Sequence, residues 1–296
     1  MSRAARSSLS RRSLLGAGVG VALTARLGRV ARADPDAPAP VLYVSHGAPL
    51  FGAADPSRIR ELTAWGARLA KPRGIVVMTP HFAARHAELG ATGTGFAMYN
   101  LPPALKRRLP PDLEYATPPS ESLATRIEAI LGGRIARPER RGFDHTTWMP
   151  LKCLFPAADV SVLEISYPYV TDAALFALGR RLAPLRDEGI LFLASGGMTH
   201  NLASVTLGGT AAPPAWSVEF DAWAAGELAK RSVDALVDWR RKAPASSLAH
   251  PDDGAHYRVL LVALGVALGA KTAAREAAFP VTGFEDTLSK RCVELT

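Results

Sequence analysis

Three short apolar runs constrain this chain more than any other feature. They are Val41-Leu42-Tyr43-Val44-Ser45, Gly74-Ile75-Val76-Val77-Met78-Thr79 and Ile190-Leu191-Phe192-Leu193-Ala194-Ser195, and they stop at His46-Gly47, Pro80-His81 and Gly196-Gly197. Each is too short for a buried helix and apolar at nearly every position rather than at alternate ones, as a strand covered on both faces must be. Val160–Ser166 has the same character. Between these runs lie helical stretches: Asp55-Pro56-Ser57, a capping residue followed by proline, opens one that runs to about Ala70. Others span Ser120–Leu131, Thr171–Arg186, Trp216–Lys230, Ser232–Arg240 and the apolar Tyr257–Leu268. Further strands are expected near Phe279–Gly283 and at the C-terminus. Strands alternating with helices predict an α/β fold, a single three-layer domain with a mostly parallel central sheet and helices on both faces. That domain is expected over residues 34–296, entered through the proline-rich Asp34–Pro40 linker.

Net charge is +8, which on its face invites a nucleic-acid partner. Its location excludes one. Residues 1–33 hold seven arginines (Arg3, Arg6, Arg11, Arg12, Arg26, Arg29, Arg32) and no acid, so the body carries only +1. Within this leader the pair Arg11-Arg12 precedes an apolar stretch, Leu14–Leu23, and Ala31-Arg32-Ala33 supplies small residues for a signal peptidase. This is the organisation of a twin-arginine export signal, so residues 1–33 are expected to be removed and the mature protein to be periplasmic. A basic tail is the plainer reading of the same run. No stretch offers the roughly 20 apolar residues that a spanning helix needs, so no membrane span is expected in the mature chain.

Two cysteines, Cys153 and Cys292, are too few for a disulfide framework or a cysteine zinc site. Cys153 lies in the apolar run Met149–Phe155 and reads as core; a Cys153–Cys292 bridge is compatible with an exported protein but not required.

The seven histidines carry the functional signal. His46, His81 and His200 each follow a different strand, and in open α/β sheets ligands bind beyond the carboxyl ends of the strands. Three imidazoles delivered there can converge on one divalent metal such as zinc or Fe(II). Singly, each is more often a turn or hydrogen-bonded residue. His256, after Asp252-Asp253-Gly254 at the start of a helix, reads by position as an exposed first-turn residue. His145, in Gly142-Phe143-Asp144-His145-Thr146-Thr147-Trp148, suits either a pocket acid/base or a structural role. His86 reads as surface, and His250-Pro251 marks a turn or a site residue. The chain has no nucleophile elbow, P-loop or dinucleotide fingerprint.

Five blocks occur in order: Ser45-His46-Gly47-Ala48-Pro49, Pro80-His81-Phe82, Gly142-Phe143-Asp144-His145, Ser195-Gly196-Gly197-Met198-Thr199-His200-Asn201, and Ala255-His256-Tyr257 leading into Leu260–Gly265. Together they resemble the class III extradiol ring-cleavage dioxygenases, and among those the 4,5-DOPA extradiol dioxygenase branch. The resemblance runs from about Val41 to the C-terminus. It implies one divalent metal ion, Fe(II) or Zn(II), held by His46, His81 and His256, with His200 approaching the metal and also serving as acid/base. It implies that His145 contacts substrate or oxygen, and that a small-molecule catechol and O2 react to give a ring-opened semialdehyde acid. Thr79-Pro80 and Phe82 stand where the family usually has Ser-Ala and Trp. Thr146-Thr147 replace a glycine and a small residue, and Ala255 replaces a glutamate. These departures bear on pocket lining and hence on substrate. Two other readings use the same residues: a zinc hydrolase with a metal-activated water, and a non-catalytic metal-binding protein.

Overall fold

The computed structural model describes residues 38–47, 56–93, 114–138, 141–205 and 212–296. The leader lies outside the described residues. In chain order the elements are β1 (Val41–Ser45), α1 (Pro56–Gly66), β2 (Gly74–Met78), β3 (Ala83–Ala84), α2 (Glu121–Leu131), α3 (His145–Leu154), β4 (Val162–Glu164), β5 (Tyr167–Pro168), α4 (Asp172–Leu182) and α5 (Pro184–Asp187). There follow β6 (Ile190–Gly196), α6 (Ala215–Lys230), α7 (Val233–Val237), α8 (Trp239–Lys242), α9 (Ser246–Ala249), α10 (Ala255–Gly269), β7 (Ala277–Ala278), β8 (Phe284–Glu285), β9 (Leu288–Ser289) and β10 (Val293–Leu295).

The central sheet has the order β4-β2-β6-β1-β10-β7. Its first four strands are parallel, and β10 and β7 add an antiparallel edge. The fold is therefore the mostly parallel α/β sheet that the apolar runs predicted. Side chains alternate across it. Val41, Tyr43, Val76, Met78, Phe192 and Ala194 share one buried cluster with α2, α4 and α10. Leu42, Val44, Ile75, Val77, Leu191 and Leu193 share the other with α1 and α3. Both faces are thus covered, which explains why the strands are apolar throughout. Helices α4 and α10 cross where Gly179 meets Gly265; a Cβ on Gly265 would stand 2.2 Å from the Phe176 carbonyl oxygen, so the backbones touch directly.

Several elements depart from the sequence reading. The helix expected over Thr171–Arg186 breaks at Ala183, where Pro184 starts α5. Ser232–Arg240 splits into α7 and α8 at Asp238. The strand expected at Phe279–Gly283 is displaced to Ala277–Ala278, because Pro280 has no N–H to give a ladder and Gly283 has φ +94°. Helix α3 is an addition to the expected elements, its pattern interrupted by Pro150 inside it. Cys153 and Cys292 are both free and buried. Among the described residues no helix is long and apolar enough to cross a membrane.

Candidate metal centre

The carboxyl ends of β1, β2 and β6 lie side by side, with β6 between the other two. His46 follows β1 directly, and its N–H donates to the Gly196 carbonyl at 3.0 Å, which continues the β1–β6 ladder by one rung. His81 follows β2 through Thr79-Pro80, its N–H donating to Thr79 Oγ1 at 3.2 Å. His256 lies in the first turn of α10, whose start is drawn against the end of β6. The His256 carbonyl accepts from the Gly197 N–H and from the Tyr43 hydroxyl, both at 3.0 Å. A Cβ on Gly196 would stand 2.0 Å from that carbonyl oxygen, so only glycine permits the approach.

These elements bring four imidazoles into one group. Ring centroids are 5.6 Å apart for His46–His81, 5.3 Å for His46–His256 and 5.5 Å for His81–His256. His145, the first residue of α3, lies 5.0 Å from His81 and 6.1 Å from His46. One ring nitrogen from each of His46, His81 and His256 falls within 4.8 Å of the others. His200 stands differently: its ring stacks on that of His256 at 3.4 Å and 10°.

Hydrogen bonds assign the His46 tautomer. Ser195 Oγ donates its single proton to the Thr146 carbonyl at 2.5 Å. Its contact with His46 Nδ1 at 3.1 Å must then be one that Ser195 accepts. Nδ1 carries the proton, and Nε2 keeps its lone pair. His256 Nε2 is buried and has no hydrogen-bond partner. A buried, unpartnered nitrogen on a ring within 5.3 and 5.5 Å of two further imidazoles fits a cation.

Electrostatics favour neutral rings. Burial first, then the neighbouring His256 and His81, hold the His46 pKa well below the ordinary histidine value. Burial, followed by His200 and His81, pushes His256 far down. Burial and then His81 lower His145 to about 4. His81 is exposed at the rim, yet partial burial still lowers its pKa, with Asp144 opposing. Neutral imidazole is the form that ligates a metal.

Two other groups of ligand-type atoms overlap this one, His81-Asp144-His145 and His200-Asp252-His256. Asp144 is already committed: it accepts from the Thr146 N–H at 2.9 Å and Oγ1 at 2.6 Å, and from Arg141 at 3.1 Å. In the other, the stacking itself is the obstacle. A metal about 2.0–2.1 Å from one ring nitrogen, in the plane of that ring, lies a full stacking distance out of the plane of the other. Three imidazoles, from His46, His81 and His256, therefore remain as the set with free convergent lone pairs.

The family model for the catalytic LigB subunit of aromatic ring-opening dioxygenase matches residues 40–287. The chain belongs to this LigB family. It is 31% identical over 234 residues to a 4,5-DOPA dioxygenase extradiol of Beta vulgaris, covering 76% of this chain and 85% of that protein. A protein of the same name from Escherichia coli K12 is 30% identical over 197 residues, or 64% of this chain and 70% of that one. The fold superposes on a crystal structure of an uncharacterized Escherichia coli K12 protein with a TM-score of 0.71 at 28% identity, covering 87% of this chain and all of the other. Membership in the LigB family makes the chain a relative of aromatic ring-opening dioxygenases, and its imidazole group is one that could hold a metal ion.

Around the imidazoles lie several residues that the sequence did not reveal. Asp252 accepts from His200 Nδ1 at 3.3 Å. Arg141 bridges Asp144 to Glu164, each at 3.1 Å, and lies 4.3 Å over the Phe82 ring. Glu164 is fully buried and also accepts from Thr147 at 2.6 Å; burial outweighs Arg141 and pushes its carboxyl up to about 7. His86 is exposed. His250 closes α9 just before the bend at Pro251-Asp252 and is a buried core residue, its Nε2 donating to the Met198 carbonyl at 3.0 Å among the rings of Phe220, Trp239 and Tyr257.

Proposed function

We propose that this protein is a metal-dependent extradiol dioxygenase that opens a catechol ring, of the DOPA-like class, with O2. The observation that carries the reading is the convergence of His46, His81 and His256, with the buried His256 Nε2 left without a hydrogen-bond partner. In this reading those three hold one divalent ion, and His200 and His145 act on the substrate. A divalent ion bound there supplies Lewis acidity toward the diol oxygens and, as Fe(II), electrons for O2.

The protein's own groups do the rest. Asp252 accepts a hydrogen bond from His200 Nδ1–H, which leaves Nε2 as the acceptor for a phenolic proton. That proton is then available for return as the ring opens. His145, kept neutral by burial, offers one N–H and one lone pair beside His81. Ser195 keeps His46 in the tautomer with Nε2 free.

The test is anaerobic reconstitution with Fe(II), followed by O2 uptake and ring-fission absorbance with a panel of catechols. Uptake stoichiometric with diol consumption supports the reading; tightly held zinc with no uptake for any diol would favour a hydrolase or a binding protein. His81→Ala is expected to lose the metal, and full retention would refute the ligand set. The leader adds export to this reading, with a periplasmic site of action. Replacing both Arg11 and Arg12 by lysine should hold the protein in the cytoplasm, and unchanged secretion would exclude the twin-arginine route.

A further inference from the structure

Helix α3 contains Pro150, which has no N–H to donate to the carbonyl of Thr146 four residues earlier. That carbonyl is fully buried with its residue, and it is satisfied from outside the helix by Ser195 Oγ at 2.5 Å. Ser195 in turn accepts from His46 Nδ1. The backbone of Thr146 thus ends a chain that starts on one strand-end histidine.

Its side chain ends another. Asp144, ion-paired with Arg141, accepts from Thr146 Oγ1 at 2.6 Å, and this uses the only hydroxyl proton Thr146 has. The 2.7 Å contact between Thr146 Oγ1 and Thr79 Oγ1 is therefore donated by Thr79. Thr79 Oγ1 then accepts from the His81 N–H at 3.2 Å. The direction of every bond is set: His81 to Thr79, Thr79 to Thr146, Thr146 to Asp144.

We infer that Thr146 is the positioning residue that fixes His46 and His81 relative to each other, through its carbonyl to one and its hydroxyl to the other. The inference rests on the metal reading of those two histidines. No hydrogen bond joins Thr146 to either ring, so its effect is on the spacing of the two ligand nitrogens. Both its oxygens are required for different reasons: the hydroxyl anchors the backbone of His81, and the carbonyl, freed by Pro150, sets the tautomer and tilt of His46.

The test uses the full chain with Co(II) as probe, measuring affinity by chelator competition and the visible ligand-field spectrum. Thr146→Val keeps shape and carbonyl but removes the hydroxyl. It should weaken Co(II) binding by about 10- to 100-fold, the range typical of lost outer-shell support, and shift the spectrum. Thr146→Ser should restore both. Thr79→Val should weaken binding similarly, and the Thr79→Val/Thr146→Val double variant no further, because both cut one chain. Pro150→Ala, which supplies a competing N–H to the Thr146 carbonyl, should perturb the spectrum without touching the hydroxyl arm. Wild-type affinity and spectrum in Thr146→Val, or failure of Thr146→Ser to rescue, would overturn the inference. His46→Ala and His81→Ala serve as separate controls: if they keep Co(II), the metal reading itself has failed, whatever Thr146→Val does.

Discussion

The imidazole of His200 lies flat on that of His256, 3.4 Å between centroids and 10° from parallel, while its Nδ1 points to Asp252. Parallel rings in contact cannot aim their lone pairs at one ion, so on the proposed reading His256 would ligate the metal and His200 would act on the substrate. His200→Ala is expected to keep stoichiometric metal and to lose about 10²-fold or more in kcat for ring cleavage, the usual scale for an acid/base group. An apo protein on metal analysis of this variant would return His200 to the ligand set.

Gly196 is the point at which β6 admits α10. Its substitution by alanine places a Cβ 2.0 Å from the His256 carbonyl oxygen, and neither backbone can yield cheaply. Gly196→Ala should cost roughly 1–3 kcal/mol in denaturant unfolding and weaken metal binding by moving His256. Wild-type metal affinity in a correctly folded Gly196→Ala would show that the close approach does not govern ligand placement.

His250 is buried, and desolvation lowers its pKa from 6.5 to about 4. A depressed pKa means that the unfolded chain binds the proton first as pH falls. The stability contributed by neutral His250 is complete above about 6.5 and is lost as pH drops toward about 4. Long-range nitrogen–proton NMR at pH 5 should find His250 neutral with the proton on Nε2, the atom bonded to Met198. A doubly protonated ring at that pH would contradict the placement.

Glu164 behaves oppositely. Its pKa is raised from 4.5 to about 7, so the folded protein holds this proton after the unfolded chain has released it. The contribution is full below about 4.5 and fades as pH climbs through about 7. Glu164→Gln cannot ionise, so its stability relative to wild type should improve between pH 5 and pH 8. Paired denaturant titrations across that range read the difference directly, and a constant gap would mean that Glu164 is ionised throughout.

Much of this was legible in the residues because burial on both faces writes a strand as an uninterrupted apolar run. The apolar runs bound β1 correctly, and β2 and β6 to within a residue. Strands of two residues such as β8 and β9 carry no periodicity and left no trace. Helix α3 was hidden by Pro150 and by two β-branched threonines in its first turn. At the site, His46, His81 and His200 were visible as strand-end residues. Position alone made His256 an exposed first-turn residue, whereas the structure buries it, since the approach that Gly196 allows is a long-range fact. Ser195, Thr146 and Asp252 act through partners far along the chain, and no local pattern announces such a contact. A serine closing an apolar strand beside a histidine-bearing one was the signal available for Ser195.

The placement of β6 between β1 and β2 sets an order of events in the life of the chain. β1 and β2 are consecutive in sequence but not neighbours, so nothing holds His46 near His81 until the segment ending at Gly196 has been made and has slotted between them. His256 follows later still. A nascent chain emerging from the ribosome therefore exposes its imidazoles for most of synthesis without a site that can capture an ion. On the proposed metal reading, taking up the ion would in this way be a check on completed folding, and any prematurely terminated product ending before β6 would lack the site.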